Sequence, residues 1–208
     1  MCAAIAQTLG LSKSRIEALT DGIFATLMTV LVLGLALPPP GTSLRDELFG
    51  LWNHVLVYAM SFVVLGVYWV GHHNLFHYIK GTNRVFLWLN IMFLMTVGFT
   101  PFTTSVLGVF WLQQSAVALY GFNLMLPGLS LYLIWWYATR DHRLVDLDID
   151  PHVVTTVKKR IVTGPVVYSI AIGLSFLEPI ISLILYIVVL AYFILPGHID
   201  IHFSRKHH

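Results

Sequence analysis

The chain of 208 residues is 57% hydrophobic and only 11% charged, with a mean hydropathy of +0.79. A water-soluble domain of this length cannot bury so much apolar surface, so the solvent for much of the chain is lipid. The net charge of +2 says little as a total, but the single cysteine, Cys2, excludes a disulfide framework and a cysteine-based metal site.

A hydrocarbon core of about 30 Å takes about 20 apolar residues per helix. Six stretches meet or approach that length, at roughly 17–37, 48–71, 85–108, 114–138, 161–177 and 180–196, and predict an all-α integral membrane protein with one six-helix transmembrane domain over 1–208. The first run follows Lys13 and Arg15, exceeds the length of a signal-peptide core and lacks a cleavage site, so no signal peptide is expected. Pro38-Pro39-Pro40-Gly41 ends the first span, and Gly81-Thr82-Asn83 separates the second from the third. Pro127-Gly128 predicts a kink in the fourth, and Glu178-Pro179 a turn between the last two. The two halves of the chain show no internal repeat of the kind that marks many transporters.

Lys and Arg are distributed asymmetrically. Eleven of the twelve fall at the N-terminus, in the 80–84 turn, in the 140–160 loop and in the tail; Arg45 alone falls on the other side. With six spans, all eleven share one side, which predicts cytoplasmic N- and C-termini in the cell membrane. Topology thus accounts for the basic residues, and no nucleic-acid partner is expected.

Within the third span, Thr96-Val97-Gly98-Phe99 looks like the start of a carbonyl selectivity filter. Such a filter needs a re-entrant loop and a second glycine, because alternate residues take backbone angles that glycine adopts cheaply. Here Thr100-Pro101 follow, inside a span expected to run unbroken from Val85 to Gly108, where extended backbone would leave amides unsatisfied in lipid. The string is read as part of a helix.

Ionisable groups at membrane depth are the functional candidates. Ser14 and Glu17 fit a capping box, whereas Asp21, four residues beyond Glu17 on the same face, needs a cationic or donor partner from another helix. The second span returns to the same side with Tyr68-Trp69-Val70-Gly71-His72-His73-Asn74, and the third starts there with Trp88 and Asn90. A buried polar cluster at the ends of the first three spans is expected, whether it serves function or only pins helices together. His73 and His77 stand at i, i+4, but a zinc site needs at least three protein ligands, and no metal is expected. Gly22, Thr26, Thr29 and Leu33 form one stripe of the first span; spacing alone favours a packing face, with the wall of a narrow pore as the alternative.

These residues resemble a known family. Arg15-Ile16-Glu17-Ala18-Leu19-Thr20-Asp21 resembles the Arg-x-x-x-Phe-Ser-Asp signature of the transmembrane protein 175 family of potassium channels. Tyr68 to His73, and Leu89-Asn90 through Pro101-Phe102, match two further stretches in order, and the likeness is clear over about 15–108. The resemblance implies a homotetramer of six-helix subunits, with the first helix of each lining a central pore that lacks a carbonyl filter. It implies a pore and gate at Thr26, Thr29, Val30 and Leu33, with Thr29 matching a threonine implicated in modest selectivity for potassium over sodium. It also implies a cluster of Arg15, Thr20, Asp21, Trp69, His73 and Asn90 holding the first helix. The chain departs from the family pattern at Leu19 and Thr20, which replace Phe-Ser, at Thr26, where a bulky aliphatic is usual, and at Gly34, where glutamate is common. The gate is therefore expected at Val30 or Leu33, or at Leu27 if the helix is rotated.

The expected function is a potassium-permeable cation channel, with monovalent cations and membrane lipid as partners, no cofactor and no enzymatic activity. The alternative is a proton-coupled secondary transporter using Asp21 and His73 as a relay. A membrane metalloenzyme using His72, His73 and His77 is a third reading.

Overall fold

The computed structural model describes residues 12–35 and 50–195, and all of its regular elements are helical. They are α1 (Lys13–Leu33), α2 (Trp52–Tyr78), α3 (Arg84–Gly98), α4 (Thr100–Val109), α5 (Gln114–Thr139), a 3-10 turn (Arg140–His142), α6 (Pro151–Leu174) and α7 (Pro179–Ile194). Among the described residues, four stretches are long and apolar enough to cross a membrane: α1, α2, α3 with α4 as one span, and Gln114–His142. Residues 36–37 of the expected first span, and the Pro38–Gly41 breaker, lie outside the described residues.

Several boundaries differ from the expected ones, each for a local reason. α1 begins at Lys13, so Ser14 lies inside its first turn and the expected capping box does not form; Glu17 instead pairs with Lys13 at 3.7 Å, one turn back. α2 continues to Tyr78, seven residues past the expected end, because no breaker precedes Gly81. α6 starts at Pro151, ten residues before the expected span, and ends at Leu174. Asp150 caps it by accepting from His152 N at 2.8 Å, and proline is well suited to an opening turn whose N–H groups have no partner. Residues 151–160, read from sequence as loop, are thus its first turns. The turn at Glu178-Pro179 forms as expected, with Pro179 opening α7.

The third span is not continuous. Pro101 cannot donate to the carbonyl one turn back, and the helix breaks at Phe99 between α3 and α4. Phe99 nevertheless keeps φ −82° and ψ −12°, in the right-handed helical region, so the backbone of Thr96–Phe99 has none of the alternation a carbonyl filter requires. Asn123 of α5 donates through Nδ2 to Thr96 O at 3.0 Å, a shorter second bond beside that from Phe99 N at 3.4 Å.

α5 is the central mast, in contact with α2, α3, α4, α6 and α7, whereas α1 lies against α2, α3 and α4 at the edge. Of the most apolar stretch of each, 56% is buried for α5 and 22% for α1. The helix runs unbroken through Pro127, where the Tyr68 hydroxyl donates to Leu124 O in the turn that Pro127 interrupts. At one end of the bundle the two basic connections meet: Ile79 bridges Val145, Lys80 N donates to Leu144 O at 2.8 Å, and Asn83 Nδ2 reaches the Tyr137 hydroxyl at 3.0 Å.

Small residues set how closely the mast is approached. A Cβ on Gly128 would lie 2.8 Å from Pro165 Cγ of α6, and one on Gly121 would overlap the Tyr186 hydroxyl of α7. Gly121→Ala therefore forces α7 outward and breaks the 3.0 Å bond from Tyr186 to Val117 O, lowering stability by roughly 1–3 kcal/mol. Thermal unfolding in detergent should show that loss, and Tyr186→Phe in the same background should return part of it. An unchanged midpoint for Gly121→Ala would refute the close approach.

Candidate functional site

α1 is asymmetric around its circumference. Ile16, Thr20, Phe24 and Leu31 are buried and form a stripe at spacings of four, four and seven, the repeat of one helical face. Phe24 meets Phe93 of α3 with ring centroids 6.0 Å apart. Along this stripe a polar chain crosses three helices. Asn90 of α3 donates through Nδ2 to Thr20 Oγ1 at 3.3 Å, and its Oδ1 lies 2.8 Å from His72 Nε2 of α2. With the amide so oriented, Nε2 of His72 is the protonated nitrogen, an assignment made from the network. Thr20 and Asn90 have no accessible surface, and the His72 ring is stacked between Phe76 at 4.1 Å and Phe93 at 5.2 Å.

A second contact runs beside this chain. Trp69 of α2 donates its indole N–H to Asp21 Oδ1 at 2.8 Å, and His73 stacks on the Trp69 ring at 5.8 Å. Asp21 thus has the donor partner from α2 that its position demanded. Of the residues expected in the polar cluster, the fold brings Thr20 and Asn90 together in the interior, and Asp21, Trp69 and His73 together at its edge. Arg15 stands apart, exposed, with no side-chain partner among the described residues. His72, which sequence reasoning left outside the cluster, is its buried member. Among the described residues no three of His, Cys, Asp and Glu converge as a metal-binding group.

The opposite face of α1 is open. Thr26 and Thr29 are exposed, Val30 is 38% exposed and Leu33 78%. The Thr26 hydroxyl donates to Gly22 O at 2.9 Å, and that of Thr29 to Thr26 O at 2.7 Å. Leu27 differs from these four: it is half-buried and packs against the core. At the far end of α1, a Cβ on Gly34 would come within 2.8 Å of Ser105 Oγ on α4, so this glycine permits a close crossing where a longer side chain does not fit without displacing Ser105.

The fold defines a multi-pass helical membrane protein. The family model described as the endosomal/lysosomal potassium channel TMEM175 matches residues 15–101, the segment that holds α1, α2, α3 and the break at Phe99. A potassium channel of Streptomyces collinus is 31% identical over 173 residues, covering 80% of this chain and 84% of its own. One of Chamaesiphon minutus is 31% identical over 191 residues, covering 88% and 94%. The crystal structure of a lysosomal potassium-selective channel TMEM175 homologue from Chamaesiphon minutus superposes with a TM-score of 0.79 at 30% identity, over 87% of this chain and 95% of that one. The chain belongs to the TMEM175 family, a family of ion channels rather than enzymes.

Asn90 links two partners at once, so Asn90→Leu leaves both His72 Nε2 and Thr20 Oγ1 buried without their bonds. A loss of roughly 1–3 kcal/mol per unsatisfied group is expected, read as a lower unfolding midpoint in detergent. His73→Leu, on the exposed side of α2, should cost far less. Equal losses for the two variants would contradict the assignment of His72 as the buried member.

Proposed function

We propose that this chain is one subunit of a potassium-permeable cation channel with modest selectivity for potassium over sodium. Its pore and hydrophobic gate are formed by α1 without a carbonyl filter. The observation that carries this reading is the open face of α1, opposite a buried stripe that fastens the helix to its own subunit. Thr26 and Thr29 donate their hydroxyl protons within the helix, which leaves their oxygen lone pairs available to a cation in an aqueous pore. The names of the bacterial relatives support the same conclusion.

In this reading residues 1–208 form a single six-helix domain, and four copies surround the pore with their α1 helices. Thr26 and Thr29 line it as oxygen ligands, and Val30 and Leu33 form a constriction that gates by dewetting. Leu27 is assigned to packing. Thr20, Asp21, Trp69, His73 and Asn90 hold α1 in place, and Arg15 stands at the cytoplasmic entrance. Potassium is the permeant ion, lipid is the surrounding partner, and no cofactor takes part. The basic end of the bundle, from Lys13 through Lys80, Arg84, Arg140 and Arg143 to Lys158, supports cytoplasmic termini in the cell membrane.

Recording from planar bilayers with potassium on one side and sodium on the other tests this reading. The current should reverse toward the potassium potential without reaching it. Folded protein that carries no current would refute the channel. Saturating transport driven by a pH gradient would favour proton coupling through Asp21 and His73. Thr29→Ala should move the reversal potential toward zero, and no movement would remove that hydroxyl from selectivity. Leu33→Ser should raise unitary conductance by making the constriction wettable, and an unchanged conductance would place the gate elsewhere.

A further inference from the structure

The break in the third span leaves α4 as a separate lever between α3 and the end of α1. Pro101 removes one backbone donor from its first turn. The backbone bonds that remain at the break are long, from Phe99 N to Thr96 O at 3.4 Å and from Thr103 N to Phe99 O at 3.3 Å. Asn123 of α5 spans it with shorter ones. Its Nδ2 donates to Thr96 O at 3.0 Å in the last turn of α3, and its Oδ1 accepts from Thr103 Oγ1 at 2.9 Å in the first turn of α4. The Thr103 proton has a second, longer acceptor in Thr100 O at 3.1 Å. Asn123 and Thr103 are both buried, where hydrogen bonds act more strongly than in water.

Farther along, α4 meets two neighbours. Thr104 Oγ1 donates to Ser61 Oγ of α2 at 2.8 Å, and Ser105 Oγ lies where a Cβ on Gly34 would come within 2.8 Å. Gly34 directly follows Leu33 and closes α1 by donating to Leu31 O at 3.2 Å. Among the described residues, no side-chain hydrogen bond from another helix reaches α1 beyond Asp21. Packing against its neighbours, α4 among them, therefore places the half of α1 that carries Val30 and Leu33.

We propose that Asn123 is a positioning residue for the gate. By tying Thr96 to Thr103 it sets the angle at which α4 leaves α3, and α4 sets the end of α1 through Ser105 against Gly34. At 1.5 Å per residue Ser105 stands about 9 Å along α4 from the break, so a tilt of about 10° moves it by about 1.6 Å. A gap of that size forfeits most of a van der Waals contact, so the end of α1 follows α4 or loses its seat. The inference rests on the reading that α1 carries the gate at Val30 and Leu33.

Single-channel recording in planar bilayers tests it, with each variant first shown to be folded by its melting curve in detergent. Thr103→Val removes the bond to Asn123 at unchanged shape. It should shift the open-to-closed ratio about fivefold, the effect of one hydrogen bond made in only one of the two states. Thr103→Ser, which keeps the hydroxyl, should retain the wild-type ratio. Asn123→Leu, which removes both bonds at similar volume, should shift the ratio at least as far in the same direction. In a Ser105→Ala background the effect of Thr103→Val should fall below about twofold, because the contact that carries it is gone. The reversal potential should stay at its wild-type value throughout, since Thr26 and Thr29 are untouched. A lower melting midpoint with an unchanged ratio in Thr103→Val and Asn123→Leu would reduce Asn123 to a stabilising bond and overturn the proposal. A full-sized effect in the Ser105→Ala background would overturn it too. Folded wild type without current removes the channel reading and this inference with it, whereas current whose ratio ignores these variants removes this inference alone.

Discussion

The chain of hydrogen bonds from Thr20 through Asn90 to His72 is the buried polar link that ties α1 to the bundle. In lipid the hydrophobic effect gives little reason for one apolar helix to adhere to another, so association depends on close packing and on polar groups that find partners. α1 has few means of either kind. Its buried stripe is one residue wide, and its only buried polar side chain among the described residues is Thr20. Asn90 reaches that hydroxyl and the His72 imidazole together, so one side chain ties three helices at one level. At the other end the helix relies on fit, with Gly34 against Ser105 and Met28 against Gly66.

The same economy of polar groups organises the interior. Ser61 Oγ lies 2.8 Å from both the Tyr120 hydroxyl and Thr104 Oγ1, which joins α2, α4 and α5 in a region with no accessible surface at Ser61 or Tyr120. Asn123 accepts from Thr103 Oγ1 at 2.9 Å while donating across the break to Thr96 O. The break at Phe99 therefore costs little in satisfied backbone, because a neighbouring helix carries an amide at the matching depth. Removing such a group leaves Thr96 O with only the longer bond from Phe99 N and breaks a side-chain contact as well.

Much of the helical framework was legible in the sequence because lipid imposes it: apolar runs near the bilayer length, separated by Gly81-Thr82-Asn83 and Glu178-Pro179, can be little else. The start of α6 was legible too, in Asp150-Pro151, but hydropathy reports apolar character and the first turns of α6 are polar. The break at Phe99 shows the reverse case. Pro101 signalled it, yet whether a proline merely kinks a span or divides it depends on a partner such as Asn123, which no local pattern reveals. His72 and His73 point about 100° apart on α2, and composition cannot choose between them. A signal did exist: Ser61, Leu65, Tyr68, His72 and Phe76 recur at three- and four-residue steps and are all buried, and His73 falls off that phase. The likeness of the first motif to a family signature pointed to Thr20 and Asp21 together, whereas the fold gives them separate partners, Asn90 for Thr20 and Trp69 for Asp21.

Thr26 and Thr29 each commit their hydroxyl proton to a carbonyl of their own helix. A threonine in that state has only oxygen lone pairs left to direct outward, and cannot act as a donor toward whatever faces it. At Thr26 and Thr29 the open side of α1 thus offers acceptors and no hydroxyl donor, although it bears no acid from Gly22 to Leu33. An anion there would meet acceptors alone, whereas a cation would find oxygen dipoles already oriented toward it. Discrimination by the sign of charge can in this way be built into a neutral helix through the direction in which two hydroxyl hydrogens point.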